Sequence, residues 1–113
     1  MSGITTHVLD TSTGRPAVGV SVVLERSDPA GPWVDVGRGE TDQDGRVRTL
    51  LSDSAVIAGT YRLVFDTRAY FDARRVDAFF PSVTIVFEVT DARSHYHVPL
   101  LLSPYGYSTY RGS

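Results

Sequence analysis

The chain has 113 residues, 42% of them hydrophobic and 21% charged. That suffices for one packed domain spanning residues 1–113, leaves little room for a second core, and is too apolar for a disordered chain. With 11 basic and 13 acidic residues the net charge is −2, so no basic field is present to hold nucleic acid or an anionic membrane. Cysteine and lysine are both absent, which removes disulfides, thiol nucleophiles, Cys-ligated zinc and Schiff-base chemistry.

The Ser-Gly-Ile-Thr-Thr-His stretch after Met1 has neither the basic segment nor the apolar run of a signal peptide. No apolar run approaches the roughly 20 residues of a membrane span. The expectation is a cytoplasmic protein.

Period-two alternation broken by turns predicts an all-β chain. A first strand runs from Thr5 to Leu9, and Asp10 to Pro16 is a turn. Val18, Val20, Val22 and Leu24 share one face of the next strand. Ser27 to Pro32 is a loop, and Trp33 to Gly37 a strand. The tight turn Asp42-Gln43-Asp44-Gly45 leads into Arg46-Val47-Arg48. Gly59 opens a strand whose Tyr61, Leu63 and Phe65 face one way. Thr67 to Arg75 breaks the alternation and predicts a short helix capped by Asp66 or Thr67. Ala78 to Pro81 is a turn. Val83, Ile85, Phe87 and Val89 mark a further strand, His95 to Leu102 another, and Tyr105 to Tyr110 a last one. Seven or eight strands with one short helix predict a two-sheet β-sandwich.

Three histidines occur, His7, His95 and His97. Residues 95 and 97 are two apart on a strand and so point to one sheet face. That pattern suits either a metal or one site histidine beside an edge residue. Arg46, just after a tight turn, is either a solvated strand end or a fixed guanidinium that grips a planar, oxygen-rich ring. Four of the six tyrosines (Tyr96, Tyr105, Tyr107, Tyr110) crowd the last 18 residues. Chain ends are normally frayed and polar, so this one should dock. It forms either an oligomer interface or a site wall that presents Tyr110, the Arg111 backbone and the Ser113 hydroxyl or carboxylate.

The first half, with Thr13-Gly14-Arg15-Pro16-Ala17, Thr41 to Arg46 and Gly59 to Leu63, resembles the prealbumin-like sandwich. The whole chain resembles the 5-hydroxyisourate hydrolases, transthyretin-related enzymes of urate breakdown. The matching pieces are Thr6-His7-Val8-Leu9-Asp10, Asp44-Gly45-Arg46, Tyr70-Phe71, Phe79-Phe80-Pro81 and the closing Tyr110-Arg111-Gly112-Ser113. The resemblance implies catalytic roles for His7, Arg46 and His97, substrate contacts from Tyr110, Arg111, Gly112 and Ser113, and no metal or other cofactor. It also implies a homotetramer with sites at the dimer–dimer interface. The implied reaction hydrolyses the small-molecule substrate 5-hydroxyisourate to 2-oxo-4-hydroxy-4-carboxy-5-ureidoimidazoline, which a separate decarboxylase carries on to allantoin. The alternatives are a non-catalytic prealbumin-like binding module and a metal hydrolase built on His95 and His97.

Overall fold

The computed structural model describes residues 2–113. Nine strands occur among them: β1 (Ser2–Asp10), β2 (Arg15–Pro16), β3 (Ser21–Ser27), β4 (Trp33–Glu40), β5 (Arg46–Ser52), β6 (Gly59–Phe65), β7 (Val83–Val89), β8 (Tyr96–Ser103) and β9 (Gly106–Thr109). A single 3-10 turn covers Asp53–Ala55, and the helix α1 covers Thr67–Ala73. One sheet runs β2-β1-β8-β9, with β5 also paired to β1; the other runs β4-β3-β6-β7. All pairings are antiparallel except β1 with β8, which is parallel. The two sheets form an all-β, prealbumin-like sandwich with one short helix.

Alternation decides which side chains enter the core. From the first sheet, Ile4, Val8, Val98, Leu100 and Leu102 point between the layers. From the second come Val22, Leu24, Tyr61, Leu63, Phe65, Val83 and Val89. It follows that Thr5 and His7 on β1, and His97 on β8, leave the opposite, outer face of the first sheet.

Three details depart from the sequence reading. β2 is a two-residue strand that folds back on Leu9 and Asp10, where a plain turn was expected. Val18 is 41% exposed and lies outside β3, although Val20, Val22 and Leu24 are buried. Gly19 sits at φ 84°, and this left-handed residue stops the strand from extending back through Val18. Thr41 then holds the bend, donating to the Ala17 carbonyl at 2.7 Å and accepting from the Val20 amide at 2.8 Å. Phe87 is only half-buried and stacks on Tyr61 at 5.9 Å.

The helix is too short to stand by propensity and is held by packing. Asp66 caps it by accepting from the Ala69 amide at 3.2 Å, and Thr67, Tyr70 and Phe71 are buried beneath it. The Tyr70 hydroxyl donates to the buried Asp10 carboxylate at 2.7 Å, tying helix to β1. Burial would raise the Asp10 pKa, but hydrogen bonds from Ser12 and Tyr70 outweigh it and hold the carboxyl below its usual range. Burial and the Asp10 bond together push the Tyr70 hydroxyl up to about 12. Tyr70→Phe removes the donor and leaves a buried carboxylate short of a partner, so it costs about 1–3 kcal/mol. Urea denaturation checks this, with the far-ultraviolet circular dichroism of the native state unchanged.

Candidate active site

The turn before β5 is built to aim Arg46. The Asp42 carboxylate accepts from the backbone amides of Asp44 at 2.9 Å and Arg46 at 3.0 Å. Gly45 lies at φ 75°, and a Cβ there would come within 2.5 Å of the Val8 carbonyl oxygen, so only glycine fits. The Gly45 carbonyl accepts from the Val8 amide at 2.7 Å, which locks the turn onto β1. Arg46 is thereby set in register with His7. Arg48, two residues on, is paired with Asp44 at 3.0 Å and with Asp42 at 3.6 Å. Among the described residues no carboxylate lies within 4 Å of the Arg46 guanidinium, so its donors are left for a ligand.

β8 brings His97 opposite Thr5 in the parallel pair. Nδ1 of His97 lies 2.8 Å from the Thr5 hydroxyl, and Nε2 of His95 lies 3.3 Å from the same oxygen. The two rings stack, centroids 6.3 Å apart. Thr5, Thr6, Arg46, Val47, Arg48, His95, His97 and Ser113 line a cleft of about 420 Å³ on the outer face of the first sheet. His7 is not among these lining residues but stands on β1 in register with Arg46.

The pKa values of His7 and His97 are both lowered from the ordinary 6.5, by burial first and by the Arg46 cation second. On His7 a hydrogen bond with the Asp44 backbone and the Asp42 and Asp44 charges pull the other way; on His97 the neighbouring His95 and His7 add to the depression. Both imidazoles are therefore neutral, and able to accept a proton, to a lower pH than a free histidine. The acid limb of kcat/KM should lie below pH 6.5. A pH–rate profile from about pH 5 to 8 checks this; a limb above that value contradicts it.

The terminal tetrapeptide divides. The Gly112 amide donates to the His97 carbonyl at 2.7 Å. A Cβ on Gly112 would reach 2.6 Å from Cδ2 of His97, so glycine is what lets the chain end lie against the ring. Ser113 then enters the cleft. Tyr110 and Arg111 turn away and line a second cleft with Ile85, Phe87, Tyr96 and Val98. The Arg111 guanidinium lies 4.4 Å over the Tyr96 ring and donates to the His95 carbonyl at 3.3 Å.

Of the residues expected at the site, His97, Arg46, Gly112 and Ser113 come together with His7 beside them, whereas Tyr110 and Arg111 do not face this cleft within the chain. Sequence reasoning missed Thr5, Thr6 and Arg48 and gave His95 a role only in the alternative of a metal hydrolase. The signal for Thr5 and Arg48 was their two-residue spacing from His7 and Arg46, which sets each on its neighbour's face. Among the described residues no group of three or more His, Asp or Glu side chains is placed to hold a metal ion.

A sandwich with β1 parallel to β8 at the heart of one sheet, carrying a polar cleft on that sheet's outer face, is of the prealbumin type. The chain belongs to the HIUase/Transthyretin family, whose sequence model matches residues 4–112. It is 49% identical over 110 residues to the 5-hydroxyisourate hydrolase of Salmonella dublin, covering 97% of this chain and 80% of that one. The 5-hydroxyisourate hydrolase of Klebsiella pneumoniae superposes with a TM-score of 0.86 at 38% identity, over 99% of this chain and all of that one (100%). The transthyretin of Sparus aurata superposes with a TM-score of 0.93 at 30% identity, over 99% of this chain and 97% of that one. A transthyretin and a hydrolase thus share the backbone, and side chains must separate them.

Proposed function

We propose that the protein is a 5-hydroxyisourate hydrolase, opening the six-membered ring of its substrate at an amide bond. The observation that carries this reading is the meeting of Arg46, His97 and Ser113 around one cleft, in a chain nearly half identical to named hydrolases. A neutral histidine of the His7/His97 pair takes a proton from water, and the oxygen attacks the ring carbonyl carbon. The Arg46 guanidinium stabilises the oxyanion of the tetrahedral intermediate. As that intermediate collapses, the ring C–N bond breaks and the imidazolium returns its proton to the leaving nitrogen. The product is 2-oxo-4-hydroxy-4-carboxy-5-ureidoimidazoline. Ser113 holds the ring within the cleft, and Gly112 sets Ser113 in place. Tyr110 and Arg111 anchor the segment that carries them, and act on substrate binding through it.

The working form is a cytoplasmic homotetramer with its sites between dimers. The exposed aromatic side chains of Phe79, Tyr105, Tyr107 and Tyr110 support this, since they leave apolar surface that an assembly would cover. No helix among the described residues is long and apolar enough to cross a membrane.

The test generates 5-hydroxyisourate in place with urate oxidase and follows its ultraviolet decay. The protein should accelerate the decay, keep that activity after dialysis against a chelator, and sediment as a tetramer. Decay at the spontaneous rate leaves a binding module as the better reading. Activity lost to the chelator and restored by zinc moves the chemistry to a metal held by His95 and His97.

A further inference from the structure

Thr5 is a registered partner of His97, is only 7% exposed, and reaches two imidazoles with one hydroxyl. A hydroxyl has a single proton, so it can donate to one ring while accepting from the other. Two arrangements satisfy that rule. In the first, Thr5 donates to Nδ1 of His97 and accepts from Nε2 of His95. Nε2 of His97 then carries the proton, and that ring presents no base. In the second, Nδ1 of His97 donates to Thr5, and Thr5 donates to Nε2 of His95. Nε2 of His97 is then left with its lone pair.

The surroundings select the second. The 2.8 Å contact occupies Nδ1, so Nε2 is the nitrogen that remains for the cleft. Arg46 lines the same cleft, and a cation faces a lone pair better than an N–H. Gly112 closes on the Cδ2 edge of the ring and holds it against rotation. His7 is placed differently, since it does not line the cleft.

We propose that Thr5 is a positioning residue whose hydroxyl, bridging His95 and His97, holds neutral His97 as the Nδ1–H tautomer and so makes its Nε2 the general base. This rests on the hydrolase reading and goes beyond it. It chooses between the two histidines and gives His95 the task of accepting the hydroxyl proton.

Nitrogen NMR of the full chain, labelled at the imidazole nitrogens, reads the tautomer directly, because protonated and lone-pair nitrogens resonate far apart. His97→Asn assigns the signals. At about pH 8, where histidine is neutral, His97 should show a protonated Nδ1 and a lone-pair Nε2. Thr5→Val keeps the shape and removes the hydroxyl. Its His97 signals should move toward the Nε2–H form, with kcat down at least about tenfold and KM within about twofold of wild type. Thr5→Ser should recover the tautomer and most of the lost kcat. His95→Phe should move the tautomer as Thr5→Val does, since the hydroxyl proton is then left to His97.

Wild-type His97 found as Nε2–H overturns the proposal. So does a folded Thr5→Val protein with unchanged spectrum and kcat. Should Thr5→Val fail to fold, the wild-type and His95→Phe spectra still decide. A wild-type protein inert toward 5-hydroxyisourate overturns the hydrolase reading instead, while its spectrum judges the tautomer separately.

Discussion

His97→Asn lowers kcat/KM by at least about a hundredfold, near 2.7 kcal/mol of transition-state stabilisation. Asparagine isolates the chemistry. Its amide can still bond the Thr5 hydroxyl, and the carbonyl of residue 97 still accepts from the Gly112 amide. What disappears is the imidazole of His97 beside Arg46 and Ser113; His95 also lines the cleft, but its Nε2 is directed at the Thr5 hydroxyl. KM should change little, and the circular dichroism should match wild type. A loss smaller than about tenfold assigns proton transfer to His7, and His7→Asn then shows the larger effect.

Arg46→Lys loses at least about tenfold in kcat/KM, about 1.4 kcal/mol, although the charge is kept. A planar fork can offer two parallel donors to an oxyanion, whereas a compact ammonium offers one direction at a time. The turn that aims the residue survives, because Asp42 bonds its backbone and not its side chain. Arg46→Met should lose more and should also move the pH profile. The Arg46 cation depresses the pKa values of both His7 and His97, so removing it raises them, and the acid limb shifts upward toward 6.5. Arg46→Lys should leave that limb nearly in place. A Lys variant with wild-type kinetics would make Arg46 a surface charge.

The shared backbone gives these variants their weight. A transthyretin superposes on this chain more closely than a hydrolase does, with TM-scores of 0.93 and 0.86. The sandwich therefore supplies a rigid outer sheet face, and the side chains of β1, β5, β8 and the terminal segment decide what happens on it. Period-two spacing makes that face easy to populate. One strand contributes Thr5 and His7, a second Arg46 and Arg48, and a third His97, with no change to the core side of any strand.

The sandwich was legible in the chain because alternation is a local property: Tyr61, Leu63 and Phe65 are buried where the pattern placed them. So were the helix after Asp66 and the turn that presents Arg46, since capping carboxylates and a left-handed glycine act within a few residues of themselves. Where Val18 departs from its strand, the reason is equally local, a positive φ at Gly19. The meeting of Thr5 with His97 and His95 emerges solely from the assembled fold. That contact joins residues 92 and 90 positions apart through a parallel register that no turn dictates. The fold also decided the parting of the terminal motif, with Gly112 and Ser113 at the histidine and Tyr110 and Arg111 lining the cleft that holds Tyr96. Strict alternation would part neighbouring residues, so this two-and-two split comes from the element against which the segment docks, through the Gly112 amide on the His97 carbonyl.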